Sequence, residues 1–185
     1  GKKGTITGEH ARLMVHFDED TLQSMNGMDQ VVVKTVGRGL TIHGYESVVT
    51  KKIGPQLLKL WDINVGLDGI LDVPVVAEIP SYIMGSGYEI PPDFVDQDMM
   101  TPDWEELKAL GLQDLKLGDI VAVSDRDHRF SRRYLEGAVT IALIIHGDSS
   151  WLGHGPGCQE LMSCVNGEIR PVVDPNCNIG GLLGL

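Results

Sequence analysis

Two stretches of the chain concentrate the side chains that bind metals, move protons or hold anions. The first is Asp125-Arg126-Asp127-His128-Arg129, with Arg132 and Arg133 just beyond. The second is His146, Asp148, Ser149 and Ser150, followed by Gly153-His154-Gly155-Pro156-Gly157. Each follows an apolar run of strand character, so each is expected at the end of a core strand, where a rigid scaffold fixes the aim of a functional group. If the two strands are neighbours, the loops are expected to converge.

Three chemistries fit these residues. In the first, His146, Asp148 and His154 ligate a divalent metal, helped by Asp125 or Asp127. Two imidazoles and a carboxylate suit zinc, manganese or iron, and an open position would activate water for hydrolysis. Asp127 then stands as a general base, while Asp148 and His154 polarise the substrate. No HExxH spacing is present. In the second, the backbone around Gly155 and Gly157 precedes a helix starting near Cys158 and cradles a carboxylate or phosphate, with Arg129, Arg132 or Arg133 completing an anion site. A helix N-terminus there would also lower the Cys158 pKa and make a thiolate nucleophile, although a buried, inert thiol is the ordinary fate of a lone cysteine. In the third, the residues only make turns: Asp and Ser cap, Gly supplies positive φ, and His146 is a satisfied core histidine. Ser149 and Ser150 lack a Gly-x-Ser-x-Gly elbow. These readings stay open on the sequence alone.

Composition narrows the class. The 185 residues carry a net charge of −11, with a pI of about 4.8, so a polyanion is repelled on average and nucleic acid is disfavoured as a partner. A small-molecule ligand is the expected partner, and a homo-oligomer is open. The three cysteines form no CxxC pair, which fits reduced thiols and a cytoplasmic location. No apolar run approaches the length of a transmembrane span.

The elements that must position the candidates are mainly strands, as 23 glycines and few aromatics suggest. Gly1–Gly8 and Ala11–Phe17 read as a turn and two short strands. Their Gly-rich opening resembles the KOW type of SH3-like barrel, which implies RNA binding as a third function, with Lys2 and Lys3 as the nearby cations. Val31–Val36 and Leu40–His43 read as further strands of this segment. A helix is expected over Pro55–Trp61. The Val73–Met84 stretch is β-like but broken by two prolines, and Gly85–Met100 reads as a lid or a disordered loop. A second helix is expected after Thr101 as N-cap and Pro102, with Trp104, Leu107 and Leu110 as its buried stripe and Gly111 past its end. Leu117–Asp125 and Ala138–Ile145 supply the two core strands. The expected fold is therefore mainly β, a β-rich α+β arrangement. A small SH3/KOW-like barrel segment, residues 1–72, precedes a larger β-barrel or sheet region, residues 73–185, which carries the site.

Several segments, in order, resemble one uncharacterised prokaryotic family of domains of unknown function, family 4438. They are Lys3-Gly-Thr-Ile-Thr-Gly-Glu-His, Val73-Pro-Val-Val-Ala-Glu-Ile-Pro, Ile83-Met-Gly-Ser-Gly, Leu117-Gly-Asp-Ile-Val, Arg132-Arg-Tyr-Leu-Glu-Gly-Ala-Val-Thr-Ile and His154-Gly-Pro-Gly. The resemblance implies a mostly β, barrel-containing fold and no settled activity. It also implies a longer protein with a further N-terminal β region, so that this chain is expected to be a fragment or a cleavage product. The Gly-His-Gly run and the Gly-Asp-Ile-Val strand are similar, over a few residues, to metal-dependent amide hydrolases of the formamidase kind.

Overall fold

The run of β-branched and aliphatic residues from Ala138 to Ile145 lies inside the longest strand, paired on both edges as its apolar character demands. The structure is a computed structural model and describes residues 1–9, 12–37, 39–85, 96–100, 103–148 and 154–185. In chain order its elements are β1 (Thr5–Glu9), β2 (Leu13–His16), α1 (Glu19–Ser24), β3 (Val49–Thr50), α2 (Pro55–Leu60), β4 (Asn64–Val65), β5 (Leu71–Val75) and β6 (Ala77–Pro80). A single 3₁₀ turn at Ser81–Ile83 leads on to β7 (Gln97–Asp98), α3 (Trp104–Ala109), β8 (Ile120–Asp127), β9 (Arg133–His146), β10 (Gly157–Cys164), β11 (Ile169–Val173) and α4 (Ile179–Leu183).

The fold is mainly β with a few short helices. The main sheet runs in the order β3-β10-β9-β8-β6, with β7 also paired to β10. Strands β8, β9 and β10 are successive antiparallel neighbours, whereas β6 joins β8 in parallel. An isolated bridge between Met84 and Met99 links the chain leaving β6 to the chain leaving β7. A second sheet, β11-β5-β4, has β5 in its middle. Pro74 sits in that strand without wasting its carbonyl, which accepts from Trp61 Nε1 (3.0 Å) and Cys177 Sγ (3.1 Å). The prolines do not break the Val73–Met84 stretch as expected: Pro74 lies inside the central strand β5 and Pro80 ends β6, and the break falls at Val76 between them.

Alternation along β8 and β9 divides the core between the two faces of the main sheet. Ile120, Ala122, Ile141, Leu143 and Ile145 face a cluster that includes Trp61 and Val73. Val121, Val123, Ala142 and Ile144 face another, built with Ile79, Met84, Met99 and Cys158. No helix among the described residues is long and apolar enough to cross a membrane.

Four local expectations are corrected. Among the described residues, the N-terminal segment is a two-stranded β1–β2 hairpin, not a small barrel; residues 31–36 and 40–43 form no strand. Val31, Val32, Val33 and Val36 are exposed there, because β propensity makes no strand without a partner edge. Trp104 opens α3 but is 60% exposed, so only Leu107 and Leu110 of the expected stripe pack inward. The described N-cap of α3 is Asp103, whose carboxylate accepts from the Glu105 and Glu106 amides; Thr101 and Pro102 lie outside the described residues. Finally, residues from Gly157 onward form a strand and not a helix, since Cys158, Gln159 and Glu160 pair in register with Ile144, Leu143 and Ala142.

Candidate metal centre

His146 is the last residue of β9, and the register sets Gly157, the first residue of β10, directly opposite it. Strand β7 pairs with the same end of β10, Asp98 against Gly157 and Gln97 against Cys158. Three chain segments therefore meet at one sheet end. They bring together Asp96, Asp98 and His146, whose ligating atoms all lie within 4.8 Å of one another. His146 Nε2 is 2.7 Å from Asp96 Oδ2 and 3.1 Å from Asp98 Oδ1.

The imidazole is fixed from its other side. His146 Nδ1 lies 2.9 Å from the Gly147 carbonyl oxygen, which can only accept, so Nδ1 carries the proton. Nε2 then turns a lone pair, or a second proton, toward two carboxylates. Carbonyl-oriented imidazole of this kind is the usual support of a metal-ligating histidine.

Gly157 makes room for the arrangement. A Cβ at that position would overlap both His146 Nε2 and Asp96 Oδ2. Gly155 is similarly constrained, since a Cβ there would collide with the Met99 carbonyl, to which the Gly155 amide donates (3.0 Å).

The electrostatics follow from burial and crowding. Partial burial works against charge on the His146 ring, but the Gly147 carbonyl and the Asp96 and Asp98 carboxylates outweigh it and raise its pKa. Burial and then the Asp96 charge push Asp98 above the usual carboxylate range, against the opposing pull of His146 and His154. The Asp96 charge thus makes Asp98 harder to ionise, and a cation between the two carboxylates would relieve that cost.

The candidates named from the sequence divide between two places. His146 stands in the cluster. His154 is close enough for its charge to act on Asp98, yet neither it nor Asp148 belongs to the three-residue group, and both are exposed. Gly155 and Gly157 shape the cluster by lacking side chains. Asp127 lies at the other end of the β8–β9 hairpin, paired in register with Arg133. Its carboxylate accepts from Arg129 Nε at 2.9 Å and Arg133 Nε at 3.0 Å. Burial opposes its ionisation, but these guanidinium groups and the Arg129 amide hold its pKa down at about 2. Neighbouring strands did not make the two loops converge, because antiparallel neighbours place successive loops at opposite ends. Arg132 is buried, whereas Arg129 and Arg133 serve Asp127. Cys158 is buried in mid-sheet, and burial pushes its thiol pKa up, the reverse of an activated nucleophile. Ser149, Ser150 and Gly153 lie outside the described residues.

Asp96 and Asp98 were not among the candidates read from the sequence. They fall in the stretch read as a lid or disordered loop. The local signal was the Asp-Gln-Asp alternation, which turns both carboxylates to one side wherever the backbone is extended.

Two family models together account for nearly the whole sequence: "Domain of unknown function (DUF4438), N-terminal" matches residues 1–59, and "Domain of unknown function (DUF4438), C-terminal" matches residues 60–183. The chain belongs to the DUF4438 family. A solved structure described as "Crystal structure of TM1086" is similar to this DUF4438 chain at 34% identity and a TM-score of 0.89. That match covers 98% of this chain and 64% of the other, so the present chain spans somewhat less than two thirds of that protein's length. No curated protein matches the sequence. All three residues of the cluster lie within the part matched by the C-terminal DUF4438 model.

Proposed function

We propose that this chain is a metal-dependent enzyme that hydrolyses a small molecule, with Asp96, Asp98 and His146 holding one divalent cation. The observation that carries the reading is the orientation of His146. With Nδ1 committed to the Gly147 carbonyl, Nε2 and two carboxylate oxygens converge on a point that only a proton or a metal ion can make favourable. One imidazole with two carboxylates suits manganese, iron or zinc. Three protein ligands leave positions for water, and a bound cation supplies a nucleophile by lowering the pKa of that water. His154, whose charge acts on Asp98, is a further polar group available to act on a substrate.

The test is elemental analysis of purified, untagged protein after incubation with manganese, iron(II) or zinc and removal of free ion. The parent is expected to retain about one ion per chain, and His146→Ala and Asp98→Asn to retain none. A panel of small esters, amides and phosphate esters then shows metal-dependent turnover in the parent alone. A parent that retains no ion, or variants that retain as much as the parent, would overturn the reading.

A further inference from the structure

One residue before Asp127 stands a buried polar group that the proposed cation site does not use. Arg126 is 6% exposed, and among the described residues its Nη2 donates only to carbonyl oxygens, Gly85 at 2.9 Å and Met84 at 3.5 Å. Among the described residues its Nε has no partner and no carboxylate forms an ion pair with it. The neighbouring Asp127 is already committed to Arg129 and Arg133. A guanidinium removed from water without a counter-ion is costly, and proteins seldom leave one so.

The backbone is bent to put it there. Alternation along β8 breaks at Asp125, a non-glycine residue at φ +55, where the register against β9 shifts. Such irregularities re-aim a side chain and are common next to active sites. Arg126 is thereby delivered to Met84 and Gly85, on the face where Val121 and Val123 pack against Met84. Gly85 ties the two sites together, since its carbonyl takes Arg126 and its amide donates to the Asp98 carbonyl at 2.7 Å.

Other buried groups in the same interior have unmet hydrogen-bonding capacity. Glu160 pairs opposite Ala142 and so faces the same side of the sheet; it is 3% exposed, and its Oε1 has no partner among the described residues. Both ring nitrogens of His128 are buried and have no partner among the described residues, and the ring feels the charges of Arg126 and Arg132. Buried polar atoms left unsatisfied in this number call for an explanation, and a bound polar molecule supplies one.

We propose that Arg126, with Arg132 at its side, binds the carboxylate or phosphate of an anionic small molecule, and that this anion is the substrate presented to the cation at Asp96, Asp98 and His146. The inference rests on the cation-site reading for the fate of the ligand, but not for its binding. The bent strand supplies the anion anchor, Glu160 and His128 bond the remainder of the molecule, and the reacting group lies toward Asp98.

The experiment is calorimetric titration of the full chain at pH 8 with inorganic phosphate and, separately, with malonate. It is run on the parent, Arg126→Gln, His146→Ala and Glu160→Gln, and the probe that binds identifies the anionic group. Saturable binding by the parent, weakened at least tenfold in Arg126→Gln and kept in His146→Ala, is the expected result. Glu160→Gln removes a competing negative charge and is expected to tighten binding several-fold, which tests the proposal even if Arg126→Gln fails to fold. Metal retention with no saturable binding of either probe would overturn the anion site and leave the cation site standing. Anion binding without metal retention would do the reverse. Equal affinity in the parent, Arg126→Gln and Glu160→Gln would also overturn the anion site.

Discussion

His146 Nε2 and Asp96 Oδ2 lie 2.7 Å apart although fifty positions separate them in the sequence, and Gly157 is the residue that lets them meet. The glycine begins β10 opposite His146, and the space that its side chain would fill holds the imidazole and the carboxylate instead. Gly157→Ala should therefore damage the site more than the fold. A methyl group there must push either His146 or Asp96 aside, and metal ligands tolerate displacements of only a few tenths of an ångström. The expected outcome is loss of metal retention in elemental analysis, with far-ultraviolet circular dichroism unchanged. A variant that keeps the parent's metal content would show that the packing around Gly157 does not organise the cluster.

The contrast between His146 and the two aspartates also shows what could be read from the sequence. Ala138–Ile145 is long, β-branched and ends in His146, so the strand and the position of its terminal histidine were both legible. Asp96 and Asp98 were not. Asp98 ends a strand of only two residues and Asp96 just precedes it; that strand follows a stretch rich in Gly, Pro and Asp, and its partner β10 is some sixty residues away. Short strands of this kind are made by the edge they join and not by their own propensity. The opposite-ends arrangement was, by contrast, available in advance. Only five residues connect Asp127 to Arg133, which demands a hairpin, and a hairpin separates the loops at the two ends of its second strand. Trp104 was misassigned for a different reason: helical spacing marks a stripe, but it does not say how far toward the helix end the neighbouring core extends.

Asp127 is expected to matter for stability and not for catalysis. Its carboxyl is buried, and Arg129 and Arg133 hold its pKa at about 2, against an ordinary 3.8. The folded state therefore gives up the proton more readily than the unfolded state. The resulting stabilisation is fully present above pH 3.8 and is lost as pH falls through 2. Its size is on the order of 2 kcal/mol. Asp127→Asn should lower the urea-unfolding free energy by roughly that amount at pH 7, while metal retention stays at the parent level. A matching loss of metal would mean that the two ends of the hairpin communicate.

Glu160 gives the opposite pH dependence. Burial raises its pKa from 4.5 to about 7, against the combined pull of Lys52, its own backbone amide, Lys51 and Arg132. Here the folded state holds the proton more tightly. Below pH 4.5 both states are protonated and no cost arises. Between 4.5 and 7 the unfolded chain ionises first and stability declines. Above 7 the full cost of the buried charge applies, on the order of 3 kcal/mol. Glu160→Gln keeps the shape and removes the charge, so it should match the parent at pH 4 and exceed it in stability at pH 8.5. Urea denaturation of metal-free protein at the two pH values measures the difference directly. A gap that stays constant with pH would mean that Glu160 does not titrate in this window. A ligand that brought a hydrogen-bond donor to Oε1 would shrink the gap at pH 8.5, because it would give the buried carboxylate the partner it lacks.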